Sequence, residues 1–262
     1  MTHLAQNAVG DILDHYADVI EGGNAYASGD SFLGIPGTYS RHPGILSGDD
    51  TPLTAAAAGT TTSIEVANTY SWPSNRWVRG NAPGFFLLCT SGEDRAVSEA
   101  RRITAWDNTS KRFTVDAFTV APGDGATFSV FEGFKRLPDT IDINAEGTDS
   151  ALGYDRFFNL ALTPQLPLDW YGNGTETWQG ELAITLRHIK HARLHQWQAA
   201  VAQNLTIIAS AMTLTGATEH RDSTHVRALL RPTDAAEVVL EDQHKIVSTL
   251  RLPIVYRIER GY

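Results

Sequence analysis

Glu181–Lys190, ELAITLRHIK, alternates strictly: Leu182, Ile184 and Leu186 fall on one side, and Glu181, Thr185 and Arg187 on the other. A period of two over this length predicts a strand with one buried face. Ala192–Met212 changes period. There Leu194, Trp197, Val201, Leu205, Ile208 and Met212 recur every three or four residues, the stripe of an amphipathic helix. A strand followed at once by a helix, both amphipathic, predicts a two-layer core that flanking strands complete.

Those flanks can be read in both directions. Upstream, Tyr154–Leu162 is apolar enough for a strand, closed by Pro164 and Pro167, and Asp169–Thr177 reads as a turn-rich loop. Downstream, His225–Arg231 alternates with Val226, Ala228 and Leu230 on one face, and Glu237–Leu240 reads as a short strand. Lys245–Glu259 alternates over almost its whole length. Ile246, Leu250, Leu252, Ile254, Tyr256 and Ile258 point inward, and Lys245, Arg251, Arg257 and Glu259 outward. Pro253 has no N–H, which predicts an edge strand or a bulge at that point.

The N-terminal Leu4–Ile20 carries a helical stripe of Leu4, Ala8 and Ile12, continued by Tyr16 and Val19, and Glu21-Gly-Gly ends it. From Asn24 to Gly59 the periodicity is lost, which reads as a linker or as an arm that orders against a partner. Thr60–Phe134 is a different module. Strands are expected at Ser63–Ala67, Gly84–Thr90, Arg102–Trp106, Arg112–Phe118 and Thr127–Phe131. The turn signals between them are Ser91-Gly92, Asp107-Asn108 and Pro122-Gly123-Asp124-Gly125, and Trp72, Trp77 and Trp106 are the expected packing anchors. A further short strand is expected at Thr140–Ile143. The expected architecture is therefore α+β: a mixed or antiparallel sheet packed by two helices, built from residues 1–45 and 136–262. It carries an inserted small all-β barrel or sandwich at 60–134, with 46–59 as linker.

The chain has 262 residues, is 42% apolar and 19% charged, and has a net charge of −9. It can bury a core and has the wrong sign for a free basic nucleic-acid binder. Its single cysteine, Cys89, excludes an intramolecular disulfide framework and sits in an apolar run that predicts a buried thiol. Met1–Ile20 lacks the basic start of a secretory signal, and no apolar run approaches the ~20 residues of a membrane span. The expectation is a protein made and folded in a cytoplasm.

Candidate chemistry is sparse. His188, His191 and His195 are close in sequence but straddle the strand–helix junction, so solvated or interface histidines are expected rather than a metal site. His220, His225 and His244 read the same way. No nucleophile elbow, phosphate-binding glycine loop or dinucleotide fingerprint is present. Asp139 and Asp142 are near each other, though an acid–base pair also needs a cleft. Glu93-Asp94 and Asp49-Asp50 read as solvated loop carboxylates. Arg101-Arg102, Lys111-Arg112 and Lys135-Arg136 are basic spots that suit either a phosphate surface or solvated hairpin ends. The outward row of the last strand, Lys245, Arg251 and Arg257 mixed with Thr249 and Val255, together with Arg187, has the composition of a wet protein–protein contact. An ordinary solvated face has the same composition.

The order helix, strand, strand–helix unit and closing strands, over Leu4–Ile20 and Tyr154–Ile258, resembles the tail terminator proteins of long-tailed bacteriophages. Leu87–Ile103 (LLCTSGEDRAVSEARRI), Ala105-Trp106-Asp107, Phe113-Thr-Val and Phe128–Pro138 (FSVFEGFKRLP) resemble hairpins of phage virion proteins. The resemblance implies a structural protein at the head–tail junction, or neck. Such a protein forms a homohexameric ring that caps the tail tube protein and presents its other face to the head-completion or connector protein. It implies no active site and no cofactor, and DNA passing through the lumen without specific binding. The family's proteins are shorter, so the inserted β domain is a departure. Alternatives are another neck or tail virion protein (head closure, tail tube or decoration). A carbohydrate-binding or hydrolytic protein with the three tryptophans as a sugar platform is a further one.

Overall fold

The computed structural model describes residues 2–24, 31–32, 53–57, 59–67, 85–137, 156–171, 175–189, 201–210, 212, 226–230, 237–239 and 245–259. In chain order the elements begin with α1 (Thr2–Glu21), β1 (Gly23–Asn24) and β2 (Ser31–Phe32). Next come β3 (Leu53–Thr54), β4 (Ser63–Glu65), β5 (Phe85–Ser91), β6 (Ala100–Asp107), β7 (Arg112–Val115) and β8 (Thr127–Glu132). The chain continues with β9 (Lys135–Arg136), β10 (Arg156–Tyr171), β11 (Thr175–Ile189) and the helix α2 (201–210, with Met212 also helical). It closes with β12 (Val226–Leu229), β13 (Glu237–Val239) and β14 (Lys245–Glu259). Strands dominate, with two helices among the described residues. No helix among them is long and apolar enough to cross a membrane. Trp72, Trp77, the expected strand Thr140–Ile143, Asp139, Asp142, His191 and His195 lie outside the described residues.

The chain divides into two compact units, Met1–Ile35 with Lys135–Tyr262, and Pro36–Phe134. In the second, the antiparallel order β3-β8-β5-β6-β7-β4 is closed by a bridge between Ala55 and Val66. Ala67 N donates to Thr54 O at 2.8 Å and Ala56 N to Glu65 O at 2.9 Å, so the two edges meet and the sheet becomes barrel-like. This closure corrects the expected linker at 46–59, because Leu53–Ala55 supply the closing strand. Closure leaves no row of open peptide groups on a short-stranded sheet. The interior is filled by Phe85, Leu87, Ile103, Trp106, Phe113 and Phe128, with the Trp106 and Phe113 rings 4.5 Å apart. Gly92 (φ 138°) and the Gly123/Gly125 pair (φ 92° and 71°) make the predicted turns in the left-handed region, where glycine carries no Cβ penalty.

In the first unit, β10, β11 and β14 form a long antiparallel ribbon. Arg156 pairs with His188 at one end of the β10–β11 hairpin and Tyr171 with Thr175 at the other. β14 runs alongside β11 from Thr175↔Glu259 to Ile189↔Lys245. The expected stop at Pro164 is thus replaced by strand, as are 169–171 and 175–177 of the expected loop at Asp169–Thr177, the residues between them lying outside the described ones. The reason is orientation: Phe158 O accepts from Leu137 N on the outer side, so even-numbered residues of this stretch turn their peptide groups outward. Pro164 therefore withholds a donor only from the outer edge, and bulges at Pro164/Leu166 and Pro167/Asp169 absorb the irregularity. The outward N–H of Leu160 is taken up by Oδ1 of its neighbour Asn159 at 2.8 Å.

β14 is internal, with β12 and β13 on its outer side, which corrects the edge or bulge expected at Pro253. Pro253 O accepts from Leu230 N at 2.9 Å on that side, so its missing N–H also faces outward. It falls between the residues paired by β12 (254–256) and by β13 (247–249), opposite Leu230, so proline omits only the reciprocal bond to Leu230 at the end of the β12 ladder and leaves the pairing with β11 intact. A bulge between Val226 and Ala228 changes the parity of β12. Leu229 is buried in place of the expected Leu230, which is 51% exposed.

The even-numbered face of β11 is the buried one: Leu182, Ile184, Leu186 and His188 align with Leu252, Leu250, Ser248 and Ile246 of β14, all buried. α2 buries Val201, Leu205, Ile208 and Met212, four of the six residues of the predicted stripe, each such side chain contributing roughly 1.5–3 kcal/mol; Leu194 and Trp197 lie outside the described residues. α1 lies against β9, β10 and β14 and buries Ala8, Ile12, Tyr16 and Val19. It ends where Gly22 (φ 89°) returns its N–H to Asp18 O at 2.8 Å. Arg136 pairs with Asp14 at 2.6 Å and Lys135 with Glu21, tying β9 to the last turns of α1.

Candidate interaction surface

The odd-numbered face of the ribbon is built from three strands in register. Across it run Ala161–Ala183–Arg251, Thr163–Glu181–Pro253 and Asn159–Thr185–Thr249, with Gln179–Val255 and Thr177–Arg257 beyond them. Small, β-branched and polar residues occupy this face because alternation has sent the large apolar ones to the other side. Most are half-buried, and Ala161, Thr163 and Arg251 are exposed. Arg251 Nη1 reaches diagonally across the strands to Glu181 Oε1 at 2.6 Å, and the Thr185 and Thr249 hydroxyls approach to 3.5 Å. The surface is therefore mixed in charge, with its main ion pair held within the sheet.

Of the four basic residues expected there, Arg251 is the clear member, with a side chain 55% exposed. Arg257 is half-buried opposite Thr177. Lys245 pairs with Ile189 in the backbone, and its side chain lies outside the described residues. Arg187 is a correction: it is fully buried. Its register neighbours on the same face, Phe157 and Val247, are buried too, so among the described residues this face is covered at the 157/187/247 row and open toward the 177–185 half.

His188 is likewise not the solvated histidine expected. It is fully buried, with Nε2 3.0 Å from Asn204 Nδ2 on α2, also buried. Arg156 lies opposite it on β10, buried as well. Neither Arg156 nor Asn204 stands out in the sequence. Each is a polar residue within an apolar pattern, and only the pairing of strands and helix brings them to the same place.

Other candidates are absorbed by the structure. Each basic spot has acidic partners: Arg101 with Glu99 at 2.8 Å, Arg102 with Asp116 at 3.4 Å, Arg112 with Glu65 at 3.0 Å, and Lys135 and Arg136 with α1. Those partners offset the positive field that a phosphate surface would need. Glu93 and Asp94 are exposed loop carboxylates. Trp106 is buried in the barrel core, so it cannot serve as a platform for a sugar ring. Cys89 is buried and its Sγ donates to Ser91 O at 3.3 Å, and burial pushes its thiol pKa up, away from the reactive thiolate. No known protein family matches the chain, and no curated protein is detectably similar to it.

Proposed function

We propose that this protein is a structural virion protein of a tailed phage, a tail terminator that forms a ring at the head–tail junction and caps the tail tube. The observation that carries this reading is the ribbon β10–β11–β14, whose apolar face is buried and whose opposite face is half open and mixed in charge. Such a face suits a wet contact with another subunit better than a catalytic cleft. The order of elements adds support: helix, long hairpin, helix, closing strands, with the barrel unit inserted after the first helix.

In this reading the protein works by shape and charge complementarity, without a catalytic centre. The ring uses two different patches on each subunit, related by a rotation that closes on itself. The excess of acid, a net charge of −9, suits a lumen through which DNA slides without being held, since phosphate neutralisation would retain it. The inserted barrel decorates the outside or meets a neighbouring neck protein.

The test is the mass of the purified chain by light scattering, alone and with its tail tube protein. A hexamer, or a monomer that assembles only on the tube, is expected. A chain that stays monomeric and ignores the tube would overturn the assignment.

A further inference from the structure

We infer that His188 and Asn204 form an acid-sensitive latch between the ribbon and helix α2. The inference stands on the geometry of the first unit alone and does not depend on the assembly reading. His188 projects from the buried face of β11 and is fully enclosed. Asn204, on the buried stripe of α2 beside Val201, Leu205 and Ile208, is its polar partner at 3.0 Å. On one side the register places Arg156 of β10 opposite the ring, and on the other Ile246 of β14. Arg156 is the charged group that acts on the imidazole among the described residues. β14 contributes only Ile246 and the neutral Ser248 at the neighbouring position of that face, and α2 the neutral Asn204. Arg187, next in the chain, lies on the other face of the sheet, since successive side chains alternate.

This enclosure suits a neutral imidazole. Its Nε2 accepts an N–H from the Asn204 amide, which leaves the ring proton on Nδ1. Adding a proton to Nε2 sets two donors against each other. Rotation of the Asn204 amide would relieve that conflict but not the rest. A second cation would still stand beside the Arg156 guanidinium, in a place water does not reach. Burial first, and then Arg156, push the His188 pKa down from 6.5 to about 3.

The sign follows from linkage. A histidine whose pKa is lower in the folded chain than when released contributes stability that is complete above about pH 6.5. That stability is lost as pH falls from there toward about 3. Within the window each pH unit raises the ratio of open to closed forms about tenfold. Opening of α2 alone releases the ring to solvent, so α2 yields before the sheet, as a local rather than a global transition.

The experiment uses the full chain. Histidine-selective NMR from pH 7.5 to 4 follows the His188 resonance, assigned by its loss in His188→Gln, which keeps an uncharged hydrogen-bonding group. Hydrogen exchange, corrected for intrinsic rates, follows peptides covering 201–212, with barrel peptides from 85–132 as internal control. The expected result is a His188 that remains neutral in the folded chain below pH 5. Protection of α2 should fall about tenfold per pH unit below 6.5 in the native chain, with no such slope in the variant. A folded-state His188 that titrates near 6.5 overturns the proposal, and so does an unchanged slope in the variant. Should the variant not fold, His188 is assigned through the backbone of the native chain and its titration alone decides.

Discussion

The ring of Tyr256 on β14 occupies the space above Gly180 on β11. Its Cε1 lies 3.0 Å from where a Cβ at 180 would stand, with Thr163 O at 2.9 Å on the other side. The glycine therefore serves the packing of the aromatic ring rather than a turn. It leaves room over residue 180 for the Tyr256 ring, itself buried, and for the Leu162 side chain.

Gly180→Ala should destabilise the first unit by about 1–3 kcal/mol, the usual cost of overpacking a closed site. Gly180→Val should cost more. Urea melts monitored by tyrosine and tryptophan fluorescence would measure this. A cost that vanishes in a Tyr256→Leu background would identify the ring as the obstacle, whereas an unchanged cost would point to the Thr163 carbonyl.

Arg251→Ala should change stability by no more than about 1 kcal/mol, since an exposed ion pair contributes little. It should nevertheless weaken ring formation on the tube if the open half of the ribbon is a subunit contact. Light scattering with the tube protein, beside a urea melt, separates the two effects. Unaltered assembly in Arg251→Ala and Arg251→Glu would place the subunit contact elsewhere.

Trp106→Ala should remove about 3–5 kcal/mol from the barrel unit, because it empties the space against Phe113. The two units have separate cores, so the transition of the first unit should be unmoved. A chain lacking residues 60–134 should likewise keep cooperative unfolding. Loss of all cooperativity in that shortened chain would show that the barrel is part of a single folding unit.

Asp18 offers a pH dependence of opposite sense to His188. Burial, then Asp14 and Glu21, raise its pKa from 3.8 to about 6, partly offset by Arg136. A carboxyl whose pKa is raised on folding contributes stability below about pH 3.8 that is lost as pH climbs through about 6. Asp18→Asn should therefore stabilise the chain at pH 7, by about 0.5 kcal/mol after allowance for solvent screening. The gain should disappear near pH 4. A variant less stable than the native chain at pH 7 would show that the carboxylate makes a favourable contact outweighing its neighbours.

Alternation and helical spacing, which are local, determined much of this protein. The face of β11 carrying Leu182, Ile184 and Leu186, the inward row of β14 and the stripes of α1 and α2 could all be read directly. So could the barrel strands β4 to β8, though not the closing strand β3, and the glycine turns at 92, 123 and 125, because backbone conformation at those points depends on the residue itself. What depends on a second element could not be read in this way. Pro164 was read as the close of its strand and Pro253 as the mark of an edge or a bulge, yet both lie within paired strands because each turns its missing N–H away from β11, and only strand pairing decides that side. Arg187 alternates outward with Thr185, yet it is buried because that end of the face is covered. His188 looked like one of a surface cluster until Arg156 and Asn204, distant in sequence, closed around it. Periodicity reports which face of an element a residue occupies. Whether that face meets water is decided only when the other elements are in place.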